Sequence, residues 1–537
     1  MKKVLLLNPC SEQFGGVLAR YMKVGIPVAV GVLAAYLKKY GFCLKVYDEE
    51  TGLLDSNKLK NLLKGFDEPL IVGISILTVQ AYRAYELVKM IKEAYPQSII
   101  VVGGIHVTAL PLEALQNGAD FVVRGEGEVP FLELLNALFE GKDWHSIRGI
   151  SYFKKDGQIC NNPDAELIRE LDDIPIFPYE LFEHPRYDMG FITSARGCPY
   201  KCSYCSQRLV TGLTYRFHSP ERVVENLGIL IDKYKQKHIV FYDDNFSVKK
   251  SRVIELCNMI VATGLNKKAA FSIQTRADNM YEAIMPYMKK ANFISVALGM
   301  ETGIERLARI IEKDQTVATH KEAVKLIKKY GLQVSLLMIM GLPTETRADR
   351  QGSYRVVKGM KPHFAKWNNL IPYPGTVIYN RSKGSQQMYI TRHWKNFNST
   401  IVSTQSIFNP TPLPFIPEGT TEWQLRRDVT IINFKIFFSP KHLYQILTRN
   451  SGAAFVILPK YWFLRPREIF EVCFIGFTYI INVLAALLPH NWGQYLYFIF
   501  THKKRNQICV QDEPNAIDGS MRDIYLQPKV AEAFSSH

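Results

Sequence analysis

Three of the nine cysteines in this chain of 537 residues stand together in the stretch GCPYKCSYCS. Cys198, Cys202 and Cys205 have the spacing C-x3-C-x2-C, whereas the other six cysteines are isolated, so the pattern favours metal ligands over a disulfide framework. Three thiolates in one loop can bind three irons of a 4Fe–4S cluster and leave the fourth iron open to a small molecule. Structural zinc usually needs four ligands in paired C-x2-C form, and the sequence holds no second pair. We therefore predict a 4Fe–4S cluster on Cys198, Cys202 and Cys205.

The segment 189–383 around these cysteines alternates strand and helix patterns. Its predicted strands are GFITSA, HIVFYDD, AAFSIQT, FISVALG, QVSLLMIMG and AKWNNLIP. Six such units predict a partial (β/α)6 barrel, since a full barrel has eight. The cysteine loop follows the first strand, at the barrel end where such enzymes place their chemistry. Polar residues follow the strands at the same end: Arg196, Asp243, Asp244, Arg276, Glu301 and Glu345.

Residues 1–137 show a similar alternation, which predicts an α/β domain with a Rossmann-like, doubly wound parallel sheet. Ligands of such sheets bind at the carboxyl ends of the strands. Residues 138–188 are predicted to be a linker that contains a hairpin turning at Asp156 and Gly157.

The β–α alternation ends at about residue 384. Residues 384–505 are predicted to form a mainly helical, apolar C-terminal domain at a substrate or membrane interface, followed by a flexible tail over 506–537. No Asp, Glu, Lys or Arg occurs from Val472 to His502. This stretch is compatible with a buried helical hairpin, with a segment lying in the membrane interface, and with a spanning helix.

Composition and charge restrict the location and the partners. Apolar residues make up 47% of the chain, as in a globular protein, and its start, MKKVLLLNPC, lacks the features of a secretory signal. We expect a cytoplasmic monomer. The net charge of +16 suits a solvated basic surface or peripheral contact with the inner face of the cytoplasmic membrane. Nucleic acid is not an expected partner, because no nucleic-acid motif is present.

The cysteine motif and the strand-end residues together resemble the radical S-adenosylmethionine (SAM) superfamily over 189–383. An aromatic residue, Tyr204, precedes the last cysteine, and GMETG resembles the element that holds the methionine moiety. Arg276 in TRAD resembles a position near the nucleoside or the carboxylate, and MGLPTET resembles the fifth-strand element near adenine. The resemblance implies that SAM is bound by Tyr204, Arg276, Gly299, Met300, Glu301, Gly341, Pro343 and Glu345.

This resemblance also implies a reaction. SAM would chelate the open iron, and the reduced cluster would pass one electron to the sulfonium. Cleavage of the bond to C5′ would then give methionine and a 5′-deoxyadenosyl radical, which removes a hydrogen atom from an inert C–H bond. No residue is singled out as catalytic.

The first domain resembles the cobalamin-binding domain of class B radical SAM enzymes. The elements SILT, VVGGIH and RGEGE match its strand ends. The resemblance implies that cobalamin is bound by Asn8, Ser75, Leu77, Thr78, Gly103 and Gly104. One departure is the loop NPCSEQFGG, which lacks the Asp-x-His-x-x-Gly motif, so no histidine ligand is expected on the lower face of cobalt.

The resemblance implies a radical SAM enzyme in which cobalamin mediates C-methylation of an unactivated carbon. The apolar C-terminal region suggests a small hydrophobic substrate, such as a lipid, a terpenoid or a tetrapyrrole. A cyclase or C–C coupling enzyme, with or without cobalamin, is the first alternative, because the architecture also resembles the anaerobic cyclase of the bacteriochlorophyll pathway. A membrane-associated iron–sulfur or corrinoid carrier without catalysis is the second. A reductant protein such as flavodoxin or ferredoxin is the expected partner.

Overall fold

The structure is a computed structural model that describes residues 2–11, 24–66, 69–391, 394–399, 411–437, 480–489, 491–496 and 499. The predicted tail over 506–537 lies outside the described residues. The same holds for residues 472–479 of the apolar stretch.

The first sheet is built on short apolar segments, and all of its parallel strands except the edge strand at Cys43–Asp48 are buried on both faces. Its parallel strands are β1 (Lys3–Asn8), β3 (Cys43–Asp48), β4 (Ile71–Ser75), β5 (Ile99–Gly103) and β6 (Phe121–Val123), in the order β3-β1-β4-β5-β6. Its helices are α1 (Val28–Lys39), α2 (Ser56–Leu63), α3 (Ala81–Ala94), α4 (Ile105–Ala109), α5 (Pro111–Gln116) and α6 (Glu128–Glu140). The predicted doubly wound sheet is confirmed. Because the strand order reverses between β1 and β4, a ligand crevice lies at their carboxyl ends.

The predicted hairpin forms, and it extends the first sheet. Strands β7 (Ile150–Phe153) and β8 (Ile159–Asn161) join β6 with antiparallel pairing. Part of the segment predicted as a linker is therefore a continuation of the sheet. The hydrogen-bonding edge of β6 explains this, since it would otherwise be exposed.

The second sheet is the predicted partial barrel. Its parallel strands are β10 (Phe191–Ile192), β13 (His238–Phe241), β14 (Ala270–Thr275), β15 (Phe293–Glu301), β16 (Gln333–Met340) and β17 (Phe364–Asn369), paired in chain order. The helices of this region are α7 (Arg208–Thr211), α8 (Pro220–Gly228), α9 (Lys250–Ala262), α10 (Met285–Lys290), α11 (Glu305–Ile310), α12 (Val317–Lys329), α13 (Arg347–Met360) and α14 (Val377–Ser382). A two-residue parallel pairing of β2 (Val24–Gly25) with β9 (Tyr187–Asp188) links the two sheets.

The first barrel strand is shorter than its sequence pattern predicts. After Ile192 the chain leaves the barrel, and β11 (Ala195–Arg196) pairs antiparallel with β12 (Arg216–Phe217). Asp243 stabilises this departure, because its carboxylate accepts hydrogen bonds from the backbone N–H groups of Ser194 and Ala195, at 2.6 and 3.0 Å. The cysteine loop therefore begins from a small ribbon above the barrel.

Some of the described C-terminal segments pack against the core of the first sheet, and others pack against the core of the barrel. Trp394 packs against the first sheet, and its indole N–H donates to Glu113 of α5 at 3.0 Å. Helix α15 (Glu422–Phe437) packs against the barrel through Leu425, Val429 and Ile432. Residues 480–487 and 491–496 are also helical, as the prediction of a helical C-terminal region requires. No helix among the described residues has the length and hydropathy that crossing a membrane requires.

Candidate functional site: the cysteine loop and the facing sheet edges

The cysteine loop needs glycine at its start. Gly197 has a φ of +86°, and a Cβ at this position would collide with the carbonyl oxygen of Thr214. Its N–H donates to the carboxylate of Asp244 at 2.9 Å, and the N–H of Cys205 donates to the carbonyl of Cys202 at 3.1 Å. The loop geometry thus comes from local backbone bonds and one strand-end carboxylate.

Two sulfur atoms of the loop receive N–H donors from the barrel. Arg276 Nη1 lies 3.5 Å from Cys202 Sγ, and Asn245 Nδ2 lies 3.9 Å from Cys198 Sγ. Such donors stabilise thiolates and tune a bound cluster. Burial raises the pKa of Cys205 to about 11, so iron must displace a thiol proton when it binds.

The donor set of the loop, three thiolates, is the set that a 4Fe–4S cluster with one open iron requires. Among the residues that the structure describes, no group of three His, Cys, Asp or Glu side chains is arranged to hold one metal ion. A cubane presents its protein-bound irons at separate corners, so its thiolates need not meet at one point. Cys198, Cys202 and Cys205 would each hold one iron.

Beside the loop, half-buried Tyr204 is hydrogen-bonded to two buried side chains, Glu301 at the end of β15 and Lys313. The hydroxyl of Tyr204 donates to Glu301 Oε1 at 2.9 Å, and Lys313 Nζ lies 3.1 Å from the same oxygen. Glu301 has a φ of +66°, a strained conformation for a residue with a side chain. Gly299 makes room for this carboxylate, because a Cβ there would lie 2.6 Å from Glu301 Oε1. The GMETG element therefore holds a fixed, charge-compensated carboxylate next to the last cysteine.

The other predicted SAM residues take different positions. Arg276 stacks on Tyr200, with 3.6 Å between its guanidinium carbon and the ring centroid, and it pairs with Asp278 at 2.8 Å. The side chain of Met300 packs in the barrel core, so only its backbone can face a ligand. Pro343 is partly buried in the loop after β16.

Glu345 stabilises the turn that follows β16. Its carboxylate accepts a hydrogen bond from the N–H of Gly341 at 2.6 Å, and Arg350 Nη1 lies 3.8 Å away. Burial raises the pKa of Glu345 to about 8, although Gly341 and Arg350 act in the opposite direction. Gly341 has a φ of +85°, which this turn requires. Through Gly341, Glu345 positions the loop predicted to contact adenine.

The predicted cobalamin residues meet at the carboxyl edge of the first sheet. Asn8 Nδ2 donates to Asp48 at 2.8 Å, which joins the ends of β1 and β3. Ser75 ends β4, Leu77 has 49% of its surface exposed, and Thr78 is buried. This edge is the crevice at the reversal of strand order, and it offers exposed apolar surface to a large ring.

Position 104 at this edge has room only for glycine. It has a φ of +101°, and a Cβ there would lie 2.7 Å from the carbonyl oxygen of Ile76. At Gly103 a Cβ would make only ordinary contact, 3.6 Å from the carbonyl oxygen of Val123. Gly104 therefore lets two strand-end loops approach closely at this edge.

The edges of the two sheets face each other. Helix α4, which follows Gly104, contacts helix α7, which follows Cys205. A Cβ on Gly375, in the loop after β17, would lie 2.7 Å from Leu209 of α7 and 3.2 Å from Ala109 of α4. Gly375 thus allows three strand-end segments to converge.

A buried ion-pair cluster joins the same two edges. Arg196 lies 3.0 Å from Glu126 and 2.6 Å from Glu128, and Arg216 lies 2.8 Å from Glu126. Burial alone would raise the pKa of Glu126, but Arg216 and Arg196 together lower it. The turn after β6 is therefore bound to the ribbon that carries the cysteine loop.

Comparisons with known proteins agree with this arrangement. Residues 192–357 match the radical SAM superfamily, and residues 16–135 match the B12-binding domain. A protein of Pyrococcus horikoshii, named as an uncharacterized methyltransferase, is 32% identical over 406 residues, which cover 74% of this chain and 86% of that protein. The chain belongs to the radical SAM superfamily. Its B12-binding domain places it among the cobalamin-dependent members.

More distant relatives share the architecture. The anaerobic magnesium-protoporphyrin IX monomethyl ester cyclase of Rubrivivax gelatinosus is 28% identical over 391 residues, which cover 70% of this chain and 69% of the cyclase. The structure of OxsB with aqua-cobalamin and SAM has a TM-score of 0.64 at 17% identity and covers 98% of this chain and 78% of that one. TsrM from Kitasatospora setae has a TM-score of 0.60 at 18% identity and covers 94% of this chain and all of that one. Both structures show the fold.

Sequence reasoning missed several residues of this radical SAM enzyme. Lys313 had no motif to mark it, and it reaches Glu301 only because the chain turns back after β15. Glu126 and Glu128 were noticed only as part of RGEGE, whose alternating glutamates could have indicated a partner for strand-end arginines.

Proposed function

We propose that this radical SAM enzyme transfers a methyl group to an unactivated carbon of an apolar metabolite. The observation that carries the proposal is the contact of α4 with α7, because it brings the edge predicted to bind cobalamin beside the cysteine loop. A substrate between these edges would be within reach of both cofactors. When bound, cobalamin supplies a transferable methyl group, and the reduced cluster makes SAM a source of radicals.

The protein's own residues orient and isolate this reaction. Glu301, held by Tyr204 and Lys313, offers a fixed carboxylate to a polar group of SAM. The ion pairs of Arg196 with Glu126 and Glu128 hold the two edges together. Exclusion of water from the space between the two edges would protect reactive carbon species.

An apolar substrate is supported by the C-terminal region. Ile480, Leu484 and Leu487 are 55%, 58% and 59% exposed on one side of a helical segment. Trp492 and Tyr495 are also exposed, as is common at a membrane interface. We propose that this region contacts the membrane from which the substrate comes. Loss of co-sedimentation with anionic vesicles in an L484E/L487E variant would be the expected result.

The deciding experiment is anaerobic turnover with SAM labelled as CD3 on its methyl group, using the reconstituted protein, a chemical reductant that supplies electrons to the cluster, and a lipid extract. Methyl transfer predicts equal amounts of S-adenosylhomocysteine and 5′-deoxyadenosine, together with a CD3-labelled lipid. The C202A variant is the control and should give none of these.

The related cyclase makes cyclisation the second candidate, and the same experiment separates the two. Cyclisation or C–C coupling predicts 5′-deoxyadenosine without S-adenosylhomocysteine and without label in the product. A carrier without catalysis predicts neither nucleoside product. Either result would refute methyl transfer.

A further inference from the structure

The cysteine loop has an outer side that the proposed reaction does not use. Tyr200 lies there between two exposed residues, Pro199 and Lys201. Tyr281, which Asn279 joins to Tyr200, and Lys250 at the start of α9 border the same area. We call Tyr200, Lys201, Lys250 and Tyr281 the lysine–tyrosine surface.

Two short series of contacts lead from this surface to the cluster ligands. In the first, the Tyr200 ring stacks on the guanidinium of Arg276 at 3.6 Å, and Arg276 donates to Cys202 Sγ at 3.5 Å. In the second, Asn279 donates to the Tyr200 hydroxyl at 2.8 Å, Asn245 donates to Asn279 at 2.7 Å, and Asn245 reaches Cys198 Sγ at 3.9 Å. Tyr200 therefore lies on two routes of direct contacts that end at cluster sulfurs.

The surface carries exposed positive charge on Lys201 and Lys250. Lys250 Nζ lies 3.9 Å from the centroid of the Tyr281 ring, and the hydroxyl of Tyr281 accepts a hydrogen bond from Asn279 at 3.1 Å. Two carboxylates next to Asn279 and Tyr281 are already paired, since Asp278 binds Arg276 and Glu282 binds Lys329. Within the described part of the chain, no carboxylate lies within ion-pair distance of the surface lysines 201 and 250.

We propose that the lysine–tyrosine surface is the docking site of an acidic, low-potential electron-carrier protein that reduces the cluster. The proposal rests on the proposed function only in requiring a redox-active cluster. One electron leaves the carrier, which is oxidised by one electron, and the cluster gains it without any bond forming or breaking. Charge complementarity favours an acidic carrier, and electron-transfer complexes use small, electrostatically steered interfaces of this kind.

The test measures cluster reduction directly, in reconstituted protein without substrate. Reduced flavodoxin is mixed anaerobically with the wild type or with the K201E/K250E variant, and the loss of cluster absorbance is followed by stopped flow. We expect the second-order rate constant of the variant to fall by about tenfold at low salt, with a weaker dependence on ionic strength. A [2Fe–2S] ferredoxin as a second acidic donor should show the same loss.

A control variant has the same change in charge at the other end of the barrel. Lys328 and Lys358 are exposed in the last turns of α12 and α13, at the edge where the following strands begin. The K328E/K358E variant should keep the wild-type rate. Photoreduced 5-deazariboflavin, a small uncharged donor, should reduce all variants at equal rates, and iron content should be unchanged.

Lys201 adjoins the cluster ligand Cys202, so a change at Lys201 could alter the cluster itself. The single variant K250E avoids this problem and provides an independent measurement. A negative charge at the N-terminus of α9 favours the helix, so this variant should fold normally. Wild-type rates for K250E and K201E/K250E with both carriers would overturn the proposal, as would equal slowing of K328E/K358E. Unchanged rates with lost vesicle binding would identify the surface as a membrane contact. Because no methyl acceptor is present, failure of methyl transfer does not affect the result.

Discussion

Arg196 Nη1 lies 3.0 Å from Glu126 Oε1, and this ion pair joins the ribbon of the cysteine loop to the B12-binding domain. Arg196 precedes the first cluster cysteine by two residues, and Glu126 lies in the turn after the last parallel strand of the first sheet. The exposed fractions of the two side chains are 22% and 5%. The separation of the two cofactor sites is therefore determined in part by a charge pair shielded from water.

We expect the substitution Glu126→Gln to destabilise the protein strongly, because Arg196 and Arg216 would keep buried charges without their shared carboxylate. The cost of breaking such a pair is about 3–5 kcal/mol. The control is Asp164→Asn, which removes an ion pair with Arg124 whose aspartate side chain is 85% exposed and should cost about 0–1 kcal/mol. Thermal unfolding of both variants measures the difference. Equal melting temperatures for E126Q and D164N would contradict the importance of the buried pair.

Replacement of Cys198, Cys202 or Cys205 with alanine should abolish the cluster, because three thiolates are the minimum that this loop offers to it. Iron content and absorbance after anaerobic reconstitution are the measurements. Cys43→Ala is the matched control, since Cys43 is a partly buried, isolated cysteine of the first sheet. If a triple alanine variant retained wild-type iron content, the assignment of the cluster would be wrong.

Lys313→Met should weaken SAM binding by on the order of tenfold or more, the equivalent of at least about 1.4 kcal/mol. The reason is that Glu301 would lose the cation 3.1 Å from its carboxylate and could not stay fixed in its strained conformation. Equilibrium dialysis of the reconstituted protein gives the dissociation constant of SAM. Lys325→Met removes an exposed pair with Glu322 and should leave that constant unchanged. If K313M bound SAM with unaltered affinity, the fixed position of Glu301 would not be needed for SAM binding.

Gly104→Ala should reduce cobalamin retention and stability together, since the added methyl group would meet the Ile76 backbone. The comparison variant is Gly141→Ala, which also has a positive φ, of +63°, but has nothing within 4 Å of the added Cβ. We expect G141A to lose about 1 kcal/mol of stability and to retain cobalamin fully. Corrin content of anaerobically purified protein is the measurement, and full retention by G104A would argue against this glycine as part of the cobalamin site.

The pKa of Glu345 predicts a dependence of stability on pH. An unfolded glutamate loses its proton near pH 4.5, whereas folded Glu345 keeps it until about pH 8. The folded state therefore binds more protons between these values, and its stability falls as pH rises through this window. Glu345→Gln keeps an acceptor for the Gly341 N–H and removes the titration. The melting temperature of the wild type should fall relative to that of E345Q between pH 6 and pH 8, whereas parallel curves would refute the raised pKa.

The sequence alone determined the strands and helices of the two sheets and the residue types at the predicted sites. Apolar segments of strand length, separated by helices of periodic pattern, required two parallel sheets, because only that arrangement buries both faces of such strands. The spacing of Cys198, Cys202 and Cys205 predicted the cluster ligands, since they lie in one loop and need no distant partner. Gly104 and Gly341 were predicted as site residues from local motifs, and both have backbone conformations that require glycine.

Only the tertiary structure decided which distant residues meet. Arg196 and Glu126 are 70 positions apart, and Trp394 and Glu113 are 281 positions apart. Such pairs depend on how one domain surface packs on another, which leaves no periodic signal along the chain. The same packing pulls Ala195 and Arg196 out of the first barrel strand and brings Lys313 to Glu301. Local periodicity thus specifies the strands and loops, whereas the charged contacts that join the two cofactor edges arise from long-range packing.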